Sequence, residues 1–382
     1  MPERAGWREQ ADSLGFRFHS LDGAPYWDES AHYRFSLAEV ENDLERPTEE
    51  IHELCMDLVS RAVRNEEYLC RLAIPEPFWD FIRNAWLQGV PQIYGRMDFG
   101  YDGTGPAKLY ELNYDTPTSL YEAAAFQWLW LQECIEQGRF ARGTDQFNSL
   151  QEKLSEAFRA IAPNIGGLMH FSSVRDSEED RATVDYLADL ATQSGIRAHY
   201  LAIEDIGCTA DGRFTDCDNR IVETIFKLYP WEFLFADEFA QHLTTSRATW
   251  FEPPWKAILS NKGALALLWT LHPDHPNLLP TFFEASPADT LPAGWVRKPL
   301  CSREGANVEL VTEQGERVAS PGPYTDFPYV RQAFHALPRF GDSYTLIGSW
   351  VVGDQAAGIG IREDASLITR DTARFVPHIV LD

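Results

Sequence analysis

Residues 95–126 read GRMDFGYDGTGPAKLYELNYDTPTSLYEAAAF, and how this stretch folds decides how the rest of the chain is understood. Residues 94–100 and 107–113 look like two strands, and the segment 102–106 between them is dense in turn formers, so a hairpin is expected. With its centre between Thr104 and Gly105, Asp98 faces Glu111 and Arg96 faces Asn113. All four side chains then leave one face, with opposed Cβ atoms about 5 Å apart. Two carboxylates and an amide oxygen converging in this way form a hard site suited to Mg²⁺. Arg96 beside them is placed to hold the charged group that the metal also contacts. The same residues also suit an ordinary surface hairpin carrying an Arg–Asp and a Glu–Asn pair, and a slip of one residue would turn one strand's pair to the wrong face.

Directly downstream, Asp115, Thr116, Pro117, Thr118 and Ser119 lead into a helical pattern. Hydroxyls and a proline at a helix start satisfy free N–H groups, and the positive end of the helix dipole can receive a carboxylate or a phosphate. Capping alone would explain these residues too. Their position just after the supposed metal ligands is what places an anion held there close to the metal.

Working outward, 382 residues with 44% apolar and 13% aromatic content fill a substantial core and allow one multi-lobed enzyme or two domains. Residues 1–13 are polar, and no stretch reaches the roughly 20 apolar residues needed to cross a bilayer. A cytoplasmic protein without membrane contact is therefore expected. Six cysteines without CxxC pairs indicate neither a zinc site nor a disulfide framework. A formal charge of -25 disfavours nucleic acid and permits a cationic substrate.

No repeat, low-complexity tract or long linker divides the chain. Periodicity predicts helices over 37–65 (interrupted near Pro47), 76–87, 119–137, 145–160 and 178–193. Strands are expected over 165–172, 221–228, 295–299, 329–334 and 344–352. Helices dominate the first half and strands the last third, which suggests a substrate-side region followed by a nucleotide-side lobe.

Neither GxxxxGK[ST] nor a post-strand GxGxxG is present, so a triphosphate site must be built differently. Lys262 and Lys298 have suitable settings. Lys298 lies in an apolar strand, where a buried ammonium needs a partner: an anion, a nearby acid, or an escape to solvent. The loop that follows, Ser302, Arg303, Glu304, Gly305, Ala306 and Asn307, is small and polar enough to fold over phosphates. Near the end, a strand, a turn at Gly353 and Asp354 and a second strand ending at Arg362 offer one more guanidinium. A surface pair with Glu363 or Asp364 is the simpler reading of Arg362.

Together GRMDFGYDG, ELNYDTPTSLYEAA, FKLYPWE, EPPWKAILSNK, RKPLCSREGANV and GSWVVGDQAAGIGIRED, in this order over residues 7–378, resemble the stand-alone synthetase form of the glutathionylspermidine synthase family. The resemblance implies an α+β ATP-grasp fold with a helical, mixed pre-ATP-grasp substrate region. Residues 1–250 would carry the substrate side with the metal hairpin, residues 251–382 would form the nucleotide-binding lobe, and no fused amidase is expected. It further implies ATP and Mg²⁺ as cofactors, a catalytic arginine at Arg96, a second at Arg362, and magnesium ligands at Asp98, Glu111 and Asn113. Lys262 and Lys298 would meet the ATP phosphates, residues 302–307 would cover them, and the adenine hinge would fall at 329–332, including Gln332. Thr116 and Thr118 stand where the well-known synthetase has serines and would contact the peptide. Glu178 and Glu179 would meet amino groups, although acids also suit a solvated first helical turn.

The implied activity is ATP-dependent joining of a glutathione-like peptide carboxylate to a polyamine-like amine through an acyl phosphate. The alternatives are a non-catalytic nucleotide- or peptide-binding protein on the same fold and a phosphotransferase. The complete set of metal ligands and both lysines favours catalysis, because a binding module has no chemical need for all of them.

Overall fold

The computed structural model describes residues 1–21, 23–284, 290–370 and 372–381. Its centre is an antiparallel sheet in the order Arg374–Val376, Gln355–Asp364, Ser343–Val352, Tyr94–Gly100 and Lys108–Asn113, with Arg339–Phe340 pairing on Ser343–Val352. Alternation along these strands gives the sheet two unlike faces. Met97, Phe99, Leu109, Leu112, Ile347 and Ile361 belong to a core shared with Ile51, Cys55, Leu58 and Val59 of the helix Arg46–Ala62. Those helix positions recur at helical spacing, and burying each large apolar side chain contributes about 1.5–3 kcal/mol. Arg96 and Asp98 alternate with Met97 and Phe99.

Two further sheets flank this one. A four-stranded parallel sheet runs Thr249–Phe251, Thr224–Leu228, Leu168–Ser173, Arg197–Tyr200, and an antiparallel one runs Thr281–Glu284, Tyr329–Ala333, Trp295–Pro299, Glu309–Val311, Arg317–Ala319. The architecture is α+β. The boundary expected at residue 250 runs through the central sheet, whose strands come from both sides of it.

The element readings hold in kind and shift at their ends. Glu178–Gln193 and Trp295–Pro299 are as expected, whereas two strands begin later, as Leu168–Ser173 and Thr224–Leu228. The helix expected from 145 begins as Leu150–Ile161, because the residues before it bridge to the C-terminal strands: Ile359 donates to the Phe147 carbonyl and Ser149 to that of Ala357. Pro47 does not break its helix. It falls where the π-helical turn Val40–Glu45 passes without a break into Arg46–Ala62, and that wider turn is the irregularity. A second π-turn, Glu122–Phe126, opens the helix Gln127–Glu136. Helices Trp7–Ser13, Glu66–Arg71 and Gly263–Leu271 were not among the expected elements. Among the described residues no helix is long and apolar enough to cross a membrane, and all six cysteines are free thiols.

Candidate active site

The site begins where the hairpin is anchored. The Glu252 carboxylate, fully buried and ion-paired with Lys256, accepts from the backbone N–H of Ile93 at 3.0 Å and of Tyr94 at 3.1 Å, while Lys256 donates to the Tyr94 carbonyl at 2.5 Å. From there Arg96 pairs with Asn113 and Asp98 with Glu111. Nearer the turn the register changes: Phe99 pairs with Leu109, leaving Tyr110 as the extra residue of a β-bulge. Bulges re-aim groups beside functional sites. Here the Tyr110 carbonyl is the acceptor for Lys298 Nζ at 3.1 Å.

Arg96 clasps Asp98 in a two-pronged pair, Nε to Oδ1 at 2.6 Å and Nη2 to Oδ2 at 3.1 Å, and its Nη1 donates to the Thr118 carbonyl at 2.6 Å. Burial works against its charge, and the neighbouring Asp98 outweighs this, so the guanidinium is held more firmly protonated than usual. Gly348 lies opposite Asp98 in the next strand, and a Cβ there would stand 2.7 Å from Arg96 Cδ. Gly348→Ala should therefore push the guanidinium off its partners and lower turnover by about tenfold to a hundredfold with the fold retained, measured as kcat beside the circular dichroism spectrum.

Lys262 and Lys298 face one cleft with about 740 Å³ of empty volume. Its polar lining is Asp98, Glu111, both lysines, Ser302 and Gln332, and its apolar lining includes Leu346 and the packed cluster of Val296, Leu310, Phe334 and Ile368. Lys262 pairs with Glu111 Oε1 at 2.6 Å and donates to the Ser302 carbonyl at 2.7 Å. Lys298 donates to Gln332 Oε1 at 2.8 Å, so its partners are an amide and a carbonyl rather than the acid or solvent considered from sequence. Burial, aided by Lys262 and opposed by Glu111, pushes its amine down to about 8. Glu111 is disfavoured by burial, yet the two lysines hold its carboxyl below the usual range. Of residues 329–332 only Gln332 lines the cleft, which continues through Ala333 to His335.

The loop after Lys298 is tightly wound: Glu304, Gly305 and Asn307 all have positive φ. Gly305 is required twice over, since a Cβ would also meet Ile368 Cγ2 at 2.5 Å. Ser302 and Gly305 line the cleft, while Asn307 turns its Oδ1 to the Tyr324 N–H at 2.8 Å. Arg303 reaches across to the residues after the hairpin, donating to Thr116 Oγ1 at 2.5 Å and to Glu232 at 3.0 Å.

The segment 115–119 is not a helix cap. Asp115 is buried against Lys227, Thr116 serves Arg303, Thr118 offers its carbonyl to Arg96, and Ser119 has φ 66°. Arg362 makes neither surface pair: Glu363 pairs with Arg374 and Asp364 with Arg370. Arg362 instead lines a small cavity with Arg96, Asp98 and Ser119. Glu178 and Glu179 part company. Glu178 is exposed on an outer groove as a solvated first-turn acid, whereas Glu179 is half-buried, its carboxyl pushed up to about 8 by burial and by Glu122 and Asp180.

Among the described residues no group of three or more His, Cys, Asp or Glu side chains is gathered for a metal. The donors present are two carboxylates and an amide, and Mg²⁺ takes one or two carboxylates together with phosphate oxygens and water. Asn113 donates to Asp98 through Nδ2 at 3.0 Å, leaving its amide oxygen for another partner. Ser302 Oγ and Gln332 Nε2 are buried without a hydrogen-bond partner in the protein, and both residues line the cleft. The donor set fits magnesium carried with a polyphosphate.

Several supporting residues were not picked out from sequence: Tyr26, Glu122, Lys227, Glu232, Glu252 and Lys256. The available signal was charge set inside apolar runs, as in FKLYPWE and EPPWKAILSNK, since a lysine or acid buried among aromatics needs an opposite partner.

With this geometry in hand, comparison with known proteins is informative. A Haemophilus influenzae protein named "Putative acid--amine ligase" is 40% identical over 389 residues, covering 99% of this chain and 97% of its own. Trypanothione synthetase of Crithidia fasciculata is 30% identical over 346 residues and the bifunctional glutathionylspermidine synthetase/amidase of Escherichia coli 26% over 401. These alignments cover 84% and 98% of this chain, which spans 52% and 63% of those longer proteins. Among solved structures, a glutathione synthetase-like effector of Globodera pallida in its apo form superposes with TM-score 0.59 at 12% identity, covering 100% of this chain and 98% of its own. That likeness concerns the fold, which is α+β of the ATP-grasp type. The family described as "Glutathionylspermidine synthase preATP-grasp" matches residues 1–381. By that match over nearly its whole length, the chain belongs to the glutathionylspermidine synthase preATP-grasp family.

Proposed function

We propose that this chain is an ATP-dependent ligase joining a peptide carboxylate of the glutathione type to an amine of the polyamine type through an acyl phosphate, in the cytoplasm. The observation that supports this most is the single cleft in which Lys262 and Lys298 stand beside Asp98 and Glu111. Two cations and a hard oxygen set in one cleft with an apolar cluster suit a nucleoside triphosphate. The names of the relatives point the same way. In this reading residues 1–250 supply the substrate side and residues 251–382 most of the nucleotide side.

Asp98, Glu111 and Asn113 would hold magnesium, which when bound neutralises phosphate charge and polarises the transferred phosphoryl group. Lys262, Lys298 and the 302–307 loop hold the phosphates. Arg96 and Arg362, lining the small cavity beside the cleft, stabilise the charge that moves as the carboxylate oxygen bonds to the γ-phosphorus and the bond to ADP breaks. The amine then attacks the acyl carbon and inorganic phosphate leaves. Thr116 and Thr118 are assigned to the peptide and Glu179, with Glu178 at the outer rim, to amino groups.

The test is ADP release with ATP and magnesium across a panel of peptides paired with polyamines, with the amide sought by mass spectrometry. Amide formation with one pairing is the expected result. Folded protein that releases no ADP with any pairing, or that yields a stable phosphorylated product, overturns the proposal.

A further inference from the structure

Behind the small cavity shared by Arg96, Asp98 and Arg362 lies a chain of hydrogen bonds that the steps above do not use. Ser119 lines the cavity. Its Oγ is 3.2 Å from Tyr26 Oη, and Tyr26 donates to Glu122 Oε1 at 2.5 Å. The three side chains are almost entirely buried, Ser119 and Tyr26 at 3% exposure and Glu122 at 0%. The second oxygen of Glu122, Oε2, is buried without any hydrogen-bond partner.

As a structural device this arrangement is poor. A buried carboxylate with one unsatisfied oxygen costs folding free energy, and phenylalanine with an apolar neighbour would fill the same space without that cost. Ser119 also holds a left-handed backbone at φ 66°, a conformation unfavourable for a residue with a Cβ and found preferentially at functional sites. Of the three, Ser119 is the residue that lines the cavity where acyl transfer is placed.

We propose that Ser119, Tyr26 and Glu122 form a proton relay that carries away the proton an ammonium substrate must lose before its nitrogen can attack; this rests on the ligase reading above. The nitrogen can bond to the acyl carbon, as the carbon–oxygen bond to phosphate breaks and a second N–H proton leaves with the phosphate, only once it has a lone pair; an ammonium must therefore first give up one proton. That proton passes to Ser119 Oγ while the serine proton passes to Tyr26 Oη and the tyrosine proton to Glu122 Oε1. Glu122 starts as a carboxylate, ends as the neutral acid, and returns the proton to water when products leave. Tyr26 and Ser119 are unchanged after the transfer, so no net charge is left on either.

The surroundings of Glu122 suit a temporary acceptor. Burial raises the proton affinity of its carboxyl, against the hydrogen bond from Tyr26 and the charges of Arg362 and Arg96. Glu179 and Tyr121 also lie within its field. The acceptor therefore sits between two cations that favour its charged form and an acid and a buried site that favour its neutral one.

The test uses the full chain with ATP, magnesium and one accepted peptide, and compares two nucleophiles. Hydroxylamine is already neutral at pH 7 and traps the acyl phosphate as a hydroxamate, whereas an alkylammonium must lose a proton. Glu122→Gln, Tyr26→Phe and Ser119→Gly each break the relay at a different point, the last also relieving the backbone. The expected result is a loss of about 10²–10⁴ in amide formation with the alkylammonium, a far smaller loss in hydroxamate, and a deficit that shrinks as pH is raised and the amine deprotonates unaided. Equal losses with both nucleophiles, or a deficit that ignores pH, overturn the relay while leaving the ligase reading standing. Wild-type protein that forms neither product overturns both. Should Glu122→Gln fail to fold, the other two variants decide the matter by the same pair of readouts.

Discussion

Lys298→Ala is expected to lower kcat/KM for ATP by about 10²–10³, the usual cost of removing one preorganised charge from a transferring phosphoryl group. Among the described residues the buried ammonium has a carbonyl and an amide oxygen as its hydrogen-bond partners, and no acid among them pairs with it directly. Its proton affinity gives a second signature. Because burial holds the amine down to about 8, the free protein loses this charge as pH rises through that value. ATP binding measured without magnesium should therefore weaken above about pH 8 in the wild type, and Lys298→Arg, whose charge persists, should flatten the profile. The sign for folding is opposite. A depressed lysine costs stability below about pH 8, where the folded chain is made to carry the charge, and that cost fades as pH rises toward the ordinary lysine value. An ATP affinity that is flat across this window in the wild type would contradict the assignment.

Lys227→Met should destabilise the fold by about 3–5 kcal/mol, because it strands a buried carboxylate whose ion-pair partner is gone. Lys227 Nζ lies 2.5 Å from Asp115 Oδ1 with both side chains at 0% exposure, and Asp115 Oδ2 accepts from the Trp231 N–H at 2.9 Å. Burial raises the Asp115 carboxyl and lowers the Lys227 amine, each only partly offset by the other. In the variant, the folded state favours the protonated acid, so the loss should shrink as pH falls and grow as it rises. Urea midpoints at two pH values measure this, and Lys227→Met with Asp115→Asn together should recover much of the loss. A single variant as stable as the wild type at neutral pH would show that the pair is not buried as described. The same pair holds the segment bearing Thr116 and Thr118, so partial loss of activity in folded protein is expected as well.

Much of the arrangement around Asp98 was legible because it is local. Alternation and turn composition give the faces of a hairpin, and the cross-strand partners follow from its register. The bulge at Tyr110 was not legible: the count from Thr104 and Gly105 gives Asp98–Glu111 and Arg96–Asn113 as observed, but it would set Phe99 opposite Tyr110, whereas Phe99 pairs with Leu109. Arg362 was misread because its sequence neighbours Glu363 and Asp364 suggested local pairing, whereas those acids are taken by Arg374 and Arg370. The buried pairs Lys227–Asp115 and Lys256–Glu252 join segments far apart in sequence or stabilise a distant strand. Neither kind of link leaves a periodic trace. Helix ends moved for the same reason, as where residues ahead of Leu150 bridge to the C-terminal strands.

The strand Tyr94–Gly100 takes one neighbour from the residues just after it and the other from Ser343–Val352. On the ribosome, Arg96 and Asp98 therefore emerge long before the polypeptide that will close over them exists. Until residues 343–352 emerge, that strand keeps one margin bare, an invitation to stray partners. A fragment ending before Ser343 would carry Asp98, Glu111, Lys262 and Lys298 without the strand that sets Gly348 against Arg96.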